Sequence, residues 1–162
     1  MKLSTKGRYA VMAMVDLAAK SAGAPVPLAD IASRQEISLS YLEQLFARLR
    51  REGLVKSVRG PGGGYLLSRP AADLRISDII IAADEPLKAT RCRQGSAQGC
   101  TSHGRCLTHD LWEELGRQIH LYLSSVSLAD VVAKRVLGTN GFMSAGQAGG
   151  SPFEAASQTA AE

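Results

Sequence analysis

No stretch of this 162-residue chain approaches the roughly 18 consecutive apolar residues of a membrane-spanning helix, so no contact with a membrane is expected. Cysteine is scarce and odd in number. Three thiols cannot form a disulfide framework, which directs them towards metal, redox or catalytic use in a reducing compartment. The one glycine-rich run, GPGGG at 60–64, is not followed by Gly-Lys-Ser/Thr or by a helical pattern, which excludes a phosphate-binding loop. The neighbouring Cys106 and His109 resemble a nucleophile and base, but no third orienting group or oxyanion motif accompanies them, so an enzyme is not expected.

What is present is ordinary globular composition, 45% hydrophobic and 21% charged, with the charge unevenly spread. Residues 1–75 carry 12 Lys or Arg against 6 Asp or Glu, whereas the rest carries 7 against 9. The first half is therefore the half suited to a polyanion. Its opening, MKLSTKGRYAVMAMVDLAAKSAGA, looks superficially like a signal peptide. Asp16 interrupts the apolar run, however, and Val11, Met14, Val15 and Ala18 follow helical spacing, so this is read as a core helix of a cytoplasmic protein.

Two further helical patterns follow. In LADIASRQ, Leu28, Ile31 and Ala32 form an apolar face; after a break at Glu36 to Ser38, Leu42, Leu45, Phe46 and Leu49 recur with helical period until Gly53 stops them. Ser38 or Ser40 can cap the second helix, and Ser40 with Glu43 fits a capping box. Short helices joined in this way match either a helix-turn-helix or an ordinary helical hairpin. With the leucines pointing inward, Ser40, Glu43, Gln44, Ala47, Arg48 and Arg51 face outward. Short and hydrogen-bonding side chains thus lie near the helix start and arginines towards its end, the order a major-groove helix requires. Gln44 can pair with adenine, and Tyr41 can reach a phosphate or a thymine methyl. Glu43 is either a specificity device that rejects wrong sites or simply a capping carboxylate.

Next, VKSVR and YLLS are short β-prone runs around GPGGG, a hairpin. A hairpin directly after a helix-turn-helix makes a winged helix. Arg59 sits at the wing's root, placed for a minor groove, with Lys56 and Arg69 available for the DNA backbone. Beyond a linker in which Ser77 is expected to cap a short helix containing Ile79, Ile80 and Ile81 and closed by Pro86, all three cysteines fall in one segment. The spacing is C-x7-C-x5-C-x2-H, through Cys92, Cys100, Cys106 and His109. Three thiolates and an imidazole suit structural zinc or an iron-sulfur cluster, and spacing alone does not separate them. His103 is the alternative fourth ligand; His109 is preferred because it stands at the start of a helix. In that helix Leu111, Leu115, Ile119, Tyr122 and Val126 form one stripe, assigned to a dimer interface.

KGRYAVMAMVDLA, PVPLADIA, ISLSYLEQLFARLRREGLVKSVRGPGGGYLL and the cysteine segment together resemble the winged-helix family of bacterial iron-sulfur cluster regulators. The resemblance spans about Met1 to Val136. It implies a homodimeric transcription regulator of double-stranded DNA that holds a 2Fe-2S cluster, receives it from the iron-sulfur assembly machinery and controls cluster-assembly genes. The cluster ligands carried over are Cys92, Cys100, Cys106 and His109, although the gap between the first two is longer than the family's usual one. A neutral imidazole in place of a thiolate removes negative charge, raises the reduction potential and leaves a ligand that acid can protonate away, which suits a sensor. A structural-zinc regulator, a nitric oxide or redox sensor of the same family, and a cluster carrier without DNA binding are the other readings.

The expected fold is mainly α with a small β wing: a winged helix-turn-helix plus a long C-terminal dimerisation helix. Its parts are a DNA-binding domain at 1–75, a linker helix at 76–90, a cluster loop at 91–109, the dimerisation region at 110–137 and a disordered tail at 138–162. Fourteen of the tail's 25 residues are Gly, Ala or Ser. The expected DNA-binding set is Lys6, Arg8 and Tyr9 near the amino terminus, Ser38, Ser40, Tyr41, Glu43, Gln44 and Arg48 on the second helix of the pair, and Arg59, Gly60 and Gly62 in the wing.

Overall fold

The computed structural model describes residues 4–84 and 104–136. Six helices and one antiparallel hairpin occur among them: α1 (Thr5–Lys20), α2 (Leu28–Gln35), α3 (Leu39–Arg51), β1 (Val55–Val58), β2 (Gly64–Leu67), α4 (Ile76–Ala82), α5 (His109–Ser125) and α6 (Leu128–Val132), with a 3-10 turn at Ala71–Asp73. This is the expected mainly helical fold with a small β wing. Pro86, Cys92, Cys100, His103 and the proposed tail lie outside the described residues.

The centre of the core is the side of α3 that the apolar period marks. Leu42, Leu45, Phe46 and Leu49 are all buried, and burial of such a side chain contributes about 2 kcal/mol. They meet Ile31 of α2 and the buried face of α1, which is Ala10, Ala13, Met14 and Leu17. The spacing expected for α1 was displaced: of Val11, Met14, Val15 and Ala18 only Met14 is fully buried, and the others pack at the margin. Small Ala10 and Ala13 let the neighbouring helices approach, and bulk alone did not reveal that. Asp16, read as a polar interruption, is itself buried at 6% exposure.

At the helix starts, one of the two serines expected to cap α3 does so, while the capping box and the α4 cap differ. The N-cap of α3 is Ser38, and Ser40 lies inside the helix with its hydroxyl 2.9 Å from that of Ser38, so no Ser40–Glu43 capping box forms. Arg75, not Ser77, is the N-cap of α4; Ser77 is buried in the helix's first turn. In α4, Ile79 and Ile80 pack inward while Ile81 is 52% exposed.

The wing is joined to the helices by a contact between segments far apart in the chain. Val55 pairs with Leu67 and Val58 with Gly64 across the hairpin, and Tyr65 exchanges two backbone hydrogen bonds of 2.9 Å with Val26, between α1 and α2. The ring of Tyr65 stands edge-on to Phe46, centroids 4.9 Å apart. Gly64 is required here by close approach: a Cβ would lie 2.4 Å from the Val26 carbonyl carbon and oxygen.

The chain beyond α5 turns back to the same core. Leu128 N–H donates to the Leu74 carbonyl at 2.8 Å and Ile76 N–H to the Val126 carbonyl at 3.1 Å, while Val126 and Leu128 are buried. A capping box between Ser127 and Asp130 starts α6.

Candidate nucleic-acid interface and metal centre

The turn between α2 and α3 sets the angle of the helix pair. Glu36 takes the left-handed conformation, φ 53° and ψ 40°, and its N–H closes on the Ala32 carbonyl; Ile37 plugs into the core behind it. This leaves the opposite side of α3 to solvent, where Ser40, Glu43, Gln44, Ala47 and Arg51 are all exposed.

The start of α1 joins that surface. Tyr9 and Tyr41 meet edge to face, ring centroids 5.9 Å apart and planes at 88°, which places the first turn of α1 beside the first turn of α3. Lys6 and Arg8 are exposed on α1, whose start is capped by Ser4, its hydroxyl accepting from the Lys6 N–H at 3.2 Å. Tyr41 is therefore partly covered by Tyr9, and the pair is a unit of the surface.

Arg59, Gly60 and Gly62 occupy the exposed tip of the wing directly after β1. Gly60 and Gly62 have φ of +105° and +74°, a region that side chains disfavour, so the tight tip depends on glycine. Lys56 is exposed on β1, while Arg69 lies 3.7 Å from Asp78. Arg48 differs from the rest of the expected set. Its Nη1 lies 3.0 Å from Oδ2 of Asp84, just beyond α4, a partner 36 positions away that no local pattern announces.

Of the four expected metal ligands, Cys106 and His109 are described. The His109 N–H donates to the Cys106 carbonyl at 3.0 Å, so the two occupy one turn at the start of α5, the position expected for His109. The Cys106 Sγ lies 3.6 Å from the Thr108 hydroxyl, and His109 Nε2 lies 3.4 Å from Glu113. Carboxylate neighbours of this kind orient ligating imidazoles. Soft sulfur beside borderline nitrogen is a donor pair suited to iron or zinc; these two residues fit the expected group.

Among the described residues, one side of α5 presents exposed apolar side chains. Leu111, Trp112, Leu115 and Tyr122 are 62%, 44%, 38% and 50% exposed, and within the helix only Gly116 is buried. Val126, read as the end of the same stripe, instead points into the core. No helix among the described residues is long and apolar enough to cross a membrane.

Helix pair, exposed α3 face and wing together define a winged helix-turn-helix DNA-binding protein. The chain belongs to the Rrf2 family of iron-dependent transcriptional regulators, whose family model matches residues 3–134. It is 57% identical over 132 residues to the HTH-type transcriptional regulator IscR of Photorhabdus laumondii, covering 82% of this chain and 79% of that protein. The putative HTH-type transcriptional regulator ORF2 of Azotobacter vinelandii is 60% identical over 134 residues, 83% of this chain and 80% of the relative. Among solved structures, T. potens IscR is 41% identical with a TM-score of 0.67, covering 83% of this chain and 88% of that one. CymR, the global cysteine regulator of B. subtilis, is 33% identical with a TM-score of 0.69, covering 83% and 98%. The chain is a DNA-binding transcriptional regulator of the IscR type, and the proteins it matches are regulators rather than enzymes.

Proposed function

We propose that this regulator reports iron-sulfur status through a 2Fe-2S cluster held by Cys92, Cys100, Cys106 and His109, acting as a cytoplasmic homodimer on genes for cluster assembly. The observation that carries this reading is the single turn joining Cys106 and His109 at the head of α5, the helix with the exposed apolar face. A bound cluster supplies a group whose presence or loss tracks cellular cluster supply, with the assembly machinery as donor. Cys106 and His109 tie that group to the first turn of α5. The exposed Leu111, Trp112, Leu115 and Tyr122 then pack against the same face of a second chain, which places two DNA-binding heads on a two-fold operator.

On the DNA side, α3 enters the major groove with Ser38, Ser40, Tyr41, Glu43 and Gln44 near base edges. Arg59, with Gly60 and Gly62 shaping the tip, enters the adjoining minor groove. Lys6, Arg8, Tyr9 and Arg48 meet the phosphates that flank α3. The division of labour follows the chain: residues 1–75 read DNA, 76–90 link, 91–109 hold the cluster and 110–137 dimerise.

Anaerobic purification, a visible absorption spectrum and analysis of iron, sulfide and zinc test the reading. Red-brown protein with iron and sulfide in equal amounts is expected. Colourless protein with stoichiometric zinc overturns the cluster and leaves the DNA-binding half standing.

A further inference from the structure

We infer that Asp84 is an intramolecular competitor for DNA phosphate, occupying Arg48 in the free protein. The inference rests on the placement of α3 in the major groove proposed above. Arg48 lies in the last turns of α3, and its Nη1 meets Asp84 Oδ2 at 3.0 Å. The Asp84 side chain is 75% exposed and that of Arg48 37% exposed. The pair therefore stands at the surface, on the flank of the helix that a phosphate backbone would line.

Asp84 is held by its backbone, not by the ion pair. Its φ is +62°, a left-handed conformation that Asp tolerates better than most residues. Its N–H donates to the Ile81 carbonyl at 2.9 Å, closing the end of α4. Ile76, Ile79 and Ile80 anchor α4 in the core. A core-anchored platform thus presents one carboxylate to an arginine of the recognition helix. A carboxylate offers the same charge-assisted acceptor geometry to a guanidinium as a phosphate does.

Such an arrangement has no evident value as a stabilising contact, because exposed ion pairs contribute little to folding. For a surface that receives a polyanion it has a definite consequence. A phosphate reaching Arg48 must displace Asp84 or accept its repulsion, so Asp84 weakens attachment to DNA of any sequence and withholds one cation from counterion release.

The test uses full-length protein with its bound cofactor and a fluorescently labelled random-sequence duplex, titrated by anisotropy at several salt concentrations. Asp84→Asn is expected to tighten binding about three- to tenfold and to steepen the salt dependence by roughly one further phosphate contact. Arg48→Met is expected to weaken binding, and the double variant to match Arg48→Met alone. Asp84→Gly, which also relieves the left-handed backbone, should repeat the Asp84→Asn result and guards against a folding defect in either variant.

Unchanged or weaker binding by both Asp84 variants overturns the inference. Tightening that persists without Arg48 also overturns it, since the carboxylate would then act as a general repulsive charge. No loss on Arg48→Met, or no DNA binding by the wild type, overturns the groove placement and this inference with it.

Discussion

Arg34 of α2 grips the buried carboxylate of Asp16 in α1 with two nitrogens: Nη2 lies 2.6 Å from Oδ1 and Nε 3.0 Å from Oδ2, and Gln35 Nε2 adds a third donor at 2.8 Å. Burial pushes this carboxyl up, but the hydrogen bonds from Arg34 and Gln35, with the charges of Arg34 and Lys20, outweigh it and hold Asp16 below its ordinary value of 3.8. The folded state therefore binds this proton less readily than the unfolded chain. The stability contributed is complete above pH 3.8 and fades as the pH falls through the depressed folded value. Asp16→Ala should cost about 2 kcal/mol at neutral pH in urea unfolding. The gap between wild type and Asp16→Asn should shrink as the pH drops below 4; a gap independent of pH would show that the pair is not the source.

Arg59 at the wing's exposed tip should carry sequence-dependent affinity. Arg59→Ala is expected to cost about 1–3 kcal/mol at a specific operator and less on random DNA. Equal losses on both, measured at one salt concentration, would reduce Arg59 to a phosphate contact.

Leu111 and Leu115 should matter to association and not to the fold of one chain, because both are exposed within it. Replacing both by Glu should weaken self-association by roughly 2 kcal/mol or more and leave helical content unchanged. Sedimentation equilibrium checks this, and an unaltered dimer would place the interface elsewhere.

His109→Cys tests whether the proposed mixed ligand set serves lability. With the proposed 2Fe-2S cluster at this site, the visible absorbance of the variant should persist longer in air, because an all-thiolate site retains iron better than one with a neutral ligand. Complete failure to assemble a cluster would refute the lability argument.

Glu36 holds a left-handed conformation that costs a side-chain-bearing residue about 1 kcal/mol. Glu36→Gly removes that cost and adds some unfolded-state entropy, for a net gain of about 0.5 kcal/mol in thermal or urea unfolding. A loss of stability would mean that the Glu36 side chain contributes contacts beyond its backbone role.

Much of this protein was legible in order along the chain. The leucine period of α3 marked its buried face correctly, and two β-prone runs about GPGGG marked the wing, since both signals are local and repeat over several residues. The helical stripe of α5 was also visible, with Leu111, Leu115 and Tyr122 exposed, Ile119 half-buried and Val126 in the core. What failed did so where a local rule met a tertiary one. Ser40 satisfied the capping-box pattern, but the chain starts the helix at Ser38; bulky Val11 and Val15 suggested a buried face that small Ala10 and Ala13 occupy instead.

Local residue spacing was enough to specify the helix pair, the wing, the outward polar face of α3 and the concentration of thiols ahead of α5, because each depends on positions within one turn, one hairpin or one short segment. Which residues meet across long separations depends on packing. Asp16 became the partner of Arg34 and Gln35, Tyr9 of Tyr41, Val26 of Tyr65, and Arg48 of Asp84. Those pairs are set by how helices pack around a shared core, and a buried carboxylate or a surface arginine carries no local signal of the charge that the packing will bring to it.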